Sequence, residues 1–233
     1  MDKLLKMATG LSLVILLASC EYDNYDEPDL TLDGHIVYQG DPIGVSYNDV
    51  SLELWEMGWQ EQAPINVAID QDGSFSALLF KGDYKLVIPA GRGPFRSLIN
   101  AETQSDTLLV NLSGSTHLDV EVMPYYMFRN HDFSLTGGEV QATFTLEKIL
   151  TGEEGADIEE VSLYLSKTQF VDNRTSVAEA HLPGHELQNL SGIQLGVSVP
   201  EMVPSQDYLF ARIGVRIQGV EHRLFSEVER IEL

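Results

Sequence analysis

The one cysteine of this 233-residue chain, Cys20, directly follows Leu17-Ala18-Ser19. Lys3 and Lys6 give the chain a basic start, and Leu11 to Leu17 carry most of a short apolar stretch. A basic start, a short apolar run and small residues before the thiol are the layout of a secretory signal. The run is too short to span a bilayer comfortably. With a single thiol, disulfides within the chain and Cys-based zinc sites are excluded. Other side chains that could do chemistry are weaker candidates. His181-Leu182-Pro183-Gly184-His185 has the i, i+4 spacing of a metal site, but Pro183 and Gly184 argue against the helix that would align both rings. The segment is expected to be a solvated loop, and no metal or cofactor is expected. Asp70-Gln71-Asp72-Gly73 begins like a calcium loop. Such a loop ends in a bidentate Glu at its twelfth position, where this chain has Lys81. A turn between two strands, with Gly73 at positive φ, is the expectation, and a hairpin is predicted there. The chain has no Gly-x-Ser-x-Gly, no phosphate-cradling glycine loop and no His-Glu-x-x-His, so it is read as non-catalytic.

Binding chemistry is better represented. Sugars present flat C–H faces and hydroxyls, which suit exposed aromatic rings beside Asp, Asn, Gln or Glu. Trp59 falls in the polar stretch Met57-Gly58-Trp59-Gln60-Glu61-Gln62, and Trp55 lies on the face opposite Leu52 and Leu54. Phe95 sits in Gly91-Arg92-Gly93-Pro94-Phe95-Arg96, whose glycines would allow close approach of a partner. Trp59, Trp55 and Phe95 are the candidate ligand-binding residues.

The Leu-Ala-Ser-Cys tetrapeptide resembles the lipobox of bacterial lipoproteins. That resemblance implies lipidation at Cys20, which becomes the mature N-terminus, and removal of residues 1–19. Several acyl chains would hold the protein to a membrane, each buried methylene contributing about 0.8 kcal/mol. Residues 20–29 continue as Cys-Glu-Tyr-Asp-Asn-Tyr-Asp-Glu-Pro-Asp, acidic and poor in aliphatics, the composition of a solvated tether. An acidic segment at this place resembles the surface-export signal of Bacteroidetes lipoproteins, which implies an outer-membrane, cell-surface location. Without residues 1–19, 12 basic and 35 acidic residues remain. So acidic a surface disfavours nucleic acid and anionic lipid as partners.

The remaining 214 residues suit two small sandwiches. From Leu30 to Met123, short alternating segments are separated by turn residues. Leu32, Ile36 and Tyr38 share one strand face while Asp33 and His35 share the other. Val50, Leu52 and Leu54 alternate with Ser51, Glu53 and Trp55, and Phe75, Ala77 and Leu79 resume after Gly73. Roughly seven strands complete this part. Beyond Pro124, Val140, Ala142, Phe144 and Leu146 alternate with polar residues, and Ile158 to Ser166 forms another strand. Residues 167–191 read as a long polar connection. Tyr208–Ile217 and Glu221–Leu233 form a closing hairpin, while Tyr125, Tyr126 and Phe128 are expected to fill the junction. The fold class is all-β: two antiparallel β-sandwiches in tandem, over 30–123 and 124–233.

Leu32-Asp33-Gly34-His35-Ile36-Val37, Val50-Ser51-Leu52-Glu53-Leu54, Asp70-Gln71-Asp72-Gly73-Ser74-Phe75 and Gly82-Asp83-Tyr84-Lys85-Leu86 resemble carboxypeptidase-regulatory-like (transthyretin-like) domains. Tyr208 to Val215 and Phe225 to Val228 resemble the last strands of fibronectin type III sandwiches. That likeness implies a tyrosine corner, with the Tyr208 hydroxyl bonded back to the backbone. Taken together, the features resemble a Bacteroidetes lipoprotein family of unknown function associated with starch-utilisation-type glycan uptake. The resemblance implies polysaccharide or oligosaccharide as ligand and an outer-membrane glycan transporter as neighbour. The alternative is a structural or docking subunit that contacts the transporter complex without binding glycan.

Overall fold

The computed structural model describes residues 26–58 and 63–233. Cys20 and Trp59 lie outside the described residues. The first half forms β1 (Leu30–Tyr38), β2 (Asp41–Pro42), β3 (Ser51–Glu56), β4 (Ile65–Ala68), β5 (Ser74–Leu79), β6 (Gly82–Val87), β7 (Phe95–Ser97), β8 (Leu108–Leu112), β9 (Thr116–His117) and β10 (Val120–Pro124). One sheet runs β4-β3-β6-β8, all antiparallel. The other is built on β1, which pairs antiparallel with β2 and β5 but parallel with β9 and β10. Alternating apolar residues fill the space between: Leu32, Leu52, Leu54, Tyr84 and Leu86 are almost fully buried. The Tyr84 hydroxyl, at the edge of this core, donates to the Phe80 carbonyl at 3.0 Å.

The turn at Asp70–Gly73 forms as the residues dictate. The Gly73 amide donates to the Asp70 carbonyl at 2.9 Å, and Gly73 has φ +86°. It is not a hairpin, however. The strand before it, β4, pairs with β3, whereas β5 pairs with β1, so the turn carries the chain from one sheet to the other.

The second half forms β11 (Tyr126–Thr136), β12 (Glu139–Lys148), β13 (Ile158–Ser166), β14 (Ala178–Pro183), β15 (Ile193–Ser198), β16 (Tyr208–Ile217), β17 (Leu224–Phe225) and β18 (Glu229–Glu232). A β11-β12-β15 sheet faces a sheet in which β16 and β14 flank β13, and β17 and β18 pair with β16. All these pairs are antiparallel. The polar connection over 167–191 contains β14, an edge strand whose alternating residues are only half-buried. The closing strand is interrupted between β17 and β18. There the Ser226 hydroxyl accepts the Ile213 amide at 3.0 Å, and the Phe225 amide donates to the Gly44 carbonyl of the first half. The tyrosine corner expected at Tyr208 does not form among the described residues. Its ring lies under the Arg230 guanidinium at 4.1 Å and edge-on to Phe210.

The halves share a single apolar core that runs through Tyr126 and Met127. Arg212, 1% exposed, bolts the junction from β16. It donates to the Val45 and Gln71 carbonyls of the first half at 3.1 and 2.5 Å, and to the Ser226 and Val171 carbonyls of its own half. Its guanidinium lies 4.5 Å from the Phe225 ring centroid. Burial lowers its pKa to about 9, leaving it charged at neutral pH. No helix of the described residues is long and apolar enough to cross a membrane.

Candidate functional site

The four-stranded sheet of the first half turns one face to the core and the other to solvent. Period-two alternation decides which side chains are outside. Leu52 and Leu54 point in, so Glu53 and Trp55 share the outer face of β3. Across the register, Trp55 stands opposite Lys85 on β6, and Lys85 stands opposite Leu109 on β8. Glu53 stands opposite Asn66 on β4. On the other side of the Trp55 row, Asn111 donates to the Asp83 carboxylate at 2.6 Å. The Trp55 indole Nε1 donates to Glu53 Oε2 at 3.0 Å. That bond fixes the ring's tilt, satisfies its only donor and leaves Glu53 Oε1 for an incoming hydroxyl. The result is a half-buried indole on the solvent-facing side of the sheet, with carboxylate, amide and ammonium groups around it. This arrangement offers C–H stacking together with hydroxyl recognition.

Of the three sequence candidates, only Trp55 stands on this face among the described residues. Phe95 is corrected. It lies on β7, opposite Pro124, and is 4% exposed. Gly93 beside it serves the interior: a Cβ there would lie 2.4 Å from the Phe95 ring, whereas one at Gly91 would meet open space. Gly93 lets the backbone fold closely over that ring rather than admit a partner.

A second polar region is the cleft of about 490 Å³ between the halves, with His35, Asp41, Asp72, Arg129 and His131 in its walls. Its arginine is already committed, to Asp41 at 2.7 Å and Glu147 at 2.9 Å. Burial would raise the Asp72 pKa, but hydrogen bonds from Ser74 and the charge of His35 outweigh it and hold the carboxyl below its ordinary value.

His181 and His185 do not come together. His181 is on β14, with Nδ1 2.9 Å from the Ser162 hydroxyl and Nε2 3.2 Å from Glu179. His185 lies in the short turn Gly184–Glu186 beyond the strand. Among the described residues, the group with metal-ligand spacing is instead His35, His117 and Asp119. Sequence reasoning missed it. Its signal is two His/Asp pairs at i, i+2, Asp33/His35 and His117/Asp119, which only the β1–β9 pairing brings side by side. The hydrogen bond to Asp33 raises the His117 pKa above the ordinary histidine value.

Comparison with known proteins adds the family. Residues 30–123 match the N-terminal domain, and residues 126–230 the C-terminal domain, of a protein of unknown function designated DUF3823. The chain belongs to the DUF3823 family. A DUF3823 structure from Parabacteroides merdae is 32% identical, with TM-score 0.75, covering 89% of this chain and 100% of that one. Another from Bacteroides ovatus is 30% identical, with TM-score 0.78, covering 88% and 100%. At 18% identity and TM-score 0.67, a Bacteroides uniformis structure described as a "putative carbohydrate binding protein" shares the fold over 88% of this chain and 100% of that one. No curated protein matches the DUF3823 chain.

Proposed function

We propose that this DUF3823 protein binds carbohydrate at the cell surface, without cleaving it, as an accessory part of an outer-membrane polysaccharide uptake system. The Trp55 face carries the reading: an indole held by Glu53 on an open sheet, with Asn66, Lys85 and the Asp83–Asn111 pair around it. The fold-level neighbour described in carbohydrate-binding terms makes glycan the ligand class to test first. The Leu17-Ala18-Ser19-Cys20 tetrapeptide and the acidic residues after it support lipid attachment to the outer membrane, with the sandwiches facing outward. In this reading the first half is a transthyretin-like accessory module and the second a fibronectin type III-like one.

Affinity electrophoresis against neutral and acidic polysaccharides tests the reading. Retardation by one glycan class is expected. Trp55→Ala should weaken it by about 1–2 kcal/mol, a roughly five- to thirty-fold loss of affinity, with the fold unchanged. Equal retardation of wild type and a folded Trp55→Ala variant would remove this face from the site. Treatment with a detergent that phase-separates should place the protein in the detergent phase, and Cys20→Ala in the aqueous phase.

A second reading, a docking subunit, is favoured by one observation. Ile99, 71% exposed, and Leu98 stand over a groove of about 380 Å³ that also includes Leu86, Ile88 and Leu108. Exposed apolar surface of this kind marks protein contacts. Co-purification with an outer-membrane transporter, lost on Ile99→Asp, together with no retardation by any glycan, would select it.

A further inference from the structure

Gly34 is where the 116–119 segment comes closest to β1. A Cβ at this position would lie 1.9 Å from the Leu118 carbonyl oxygen, so only glycine lets the 116–119 segment press against β1. The Leu118 amide donates to the Asp33 carbonyl at 2.7 Å, and Asp33 pairs with His117 in parallel register. The outward residues on either side of Gly34 and Leu118 then form a two-by-two grid, with Asp33 beside His117 and His35 beside Asp119.

The distances in this grid are of two kinds. His117 Nδ1 lies 2.5 Å from Asp33 Oδ1, a short charge-assisted hydrogen bond. Asp119 Oδ1 lies 3.3 Å from His117 Nε2 and 3.6 Å from His35 Nδ1, both long for hydrogen bonds. Two ligand atoms, each about 2.1 Å from a tetrahedral zinc ion, stand about 3.4 Å apart. These two separations match two edges of a coordination tetrahedron, and all three ligand atoms lie within 4.8 Å of one another. The bond to Asp33 also has the role that metal-ligating histidines require: it holds the proton on Nδ1 and turns the lone pair of Nε2 toward the site. The backbone amide of His35, donating to Asp119 Oδ1 at 2.9 Å, holds the carboxylate in place.

We propose that His35 Nδ1, His117 Nε2 and an Asp119 carboxylate oxygen bind a divalent first-row transition ion of the zinc class. Asp33 orients His117, and water completes the coordination. Two imidazoles and one carboxylate select such an ion over calcium or magnesium, which prefer all-oxygen shells. Binding displaces any proton on the two ligating nitrogens, and the ion clips β1 to the 116–119 segment. This inference is independent of the glycan reading, since the site is on the other sheet from Trp55.

The test is titration of Zn²⁺ into the full chain carrying Cys20→Ala, which removes the only thiol, in competition with a chromophoric chelator. Co²⁺ serves as a spectroscopic probe. One equivalent of Zn²⁺ is expected, with Co²⁺ giving intense visible bands of low-coordinate geometry. Asp33→Asn keeps all three ligands and should lower affinity by roughly 10–100-fold. His117→Ala and His35→Ala should lower it at least as much, while His185→Ala, a solvent-exposed histidine outside the grid, should leave it unchanged. Circular dichroism of the metal-free variants verifies that each is folded. Zn²⁺ bound equally well by a folded His35→Ala/His117→Ala double variant would overturn the site. So would a Co²⁺ spectrum identical to that of the hydrated ion.

Discussion

Asp172 illustrates how a chain with a net charge of −22 places a carboxylate in its interior. Its side chain is 5% exposed and accepts bonds from Arg174 Nη2 at 2.6 Å, Arg174 Nε at 3.1 Å and the amides of Arg174 and Thr175. Burial pushes its pKa up, but the hydrogen bonds and charge of Arg174 outweigh burial, and the net shift is downward. A carboxyl whose native pKa is depressed stabilises the fold above its unfolded value of about 3.9. That contribution is lost as the pH falls through the lower native value. Asp172→Asn should therefore destabilise the protein by about 1–3 kcal/mol at pH 7, with the difference from wild type shrinking below about pH 4. Thermal melts of both proteins across pH 2–7 check this. An undiminished gap at the acid end would show that packing, not charge, makes the difference. At this scale the sequence was only partly legible. Alternation places Trp55 outside because its neighbours Leu52 and Leu54 are inside. Phe95 misled, since Gly93, expected to help admit a partner, instead lets the chain close over the ring. No local pattern distinguishes these outcomes, which depend on what lies on the far side of the loop.

Strands were legible where one face is buried and the other wet. Val140, Ala142, Phe144 and Leu146 declare β12, and the apolar residues of Ile158–Ser166 declare β13. The edge strand β14 was hidden because Ala178, Ala180 and Leu182 bury too little surface to stand out against their polar neighbours. Pairing was less legible than strand position. Nothing in residues 30–38 or 116–124 announces that they run parallel, and the close approach that allows it rests on Gly34. Gly34→Ala should push the 116–119 segment away from β1 and destabilise the protein by about 1–3 kcal/mol, the usual range for an overpacked position. Denaturant titration measures that cost, and hydrogen exchange should show faster exchange at the Leu118 amide. Stability equal to wild type with an unchanged Leu118 amide would mean that the backbone accommodates a Cβ here. Gly73 meets a comparable limit, with φ +86° and the Ile43 carbonyl oxygen 2.7 Å from where a Cβ would stand. There the glycine was legible, because turn chemistry is local.

The two sandwiches are packed continuously against each other. Apolar packing runs through the junction, and polar bonds frame it: Arg129 to Asp41, Arg174 to the Tyr47 carbonyl, Gln71 to the Gln169 carbonyl. Arg212 is the centre of this frame, giving two bonds to each half. A buried arginine bonded only to carbonyls is a costly choice, since its desolvation has no carboxylate in direct contact to offset it. In return, it ties segments around residues 45, 71, 171 and 226 to one rigid group. Nothing in the sequence marks Arg212 for this role, because its partners are backbone atoms up to 167 positions away. Calorimetry of the wild-type protein should give a single two-state transition, with calorimetric and van't Hoff enthalpies equal. Arg212→Met keeps much of the side-chain length but leaves the buried Val45, Val171 and Ser226 carbonyls without this donor, while the Gln71 carbonyl keeps the Val45 amide, costing about 3 kcal/mol or more. At roughly 2–4 °C per kcal/mol for a protein of this size, the melting temperature should fall by about 6–12 °C. If the junction is what couples the halves, the variant's transition should also broaden or divide, each half melting in its own range. A lower but still single two-state transition would assign the coupling to the apolar core through Tyr126 and Met127, and leave Arg212 as a local brace.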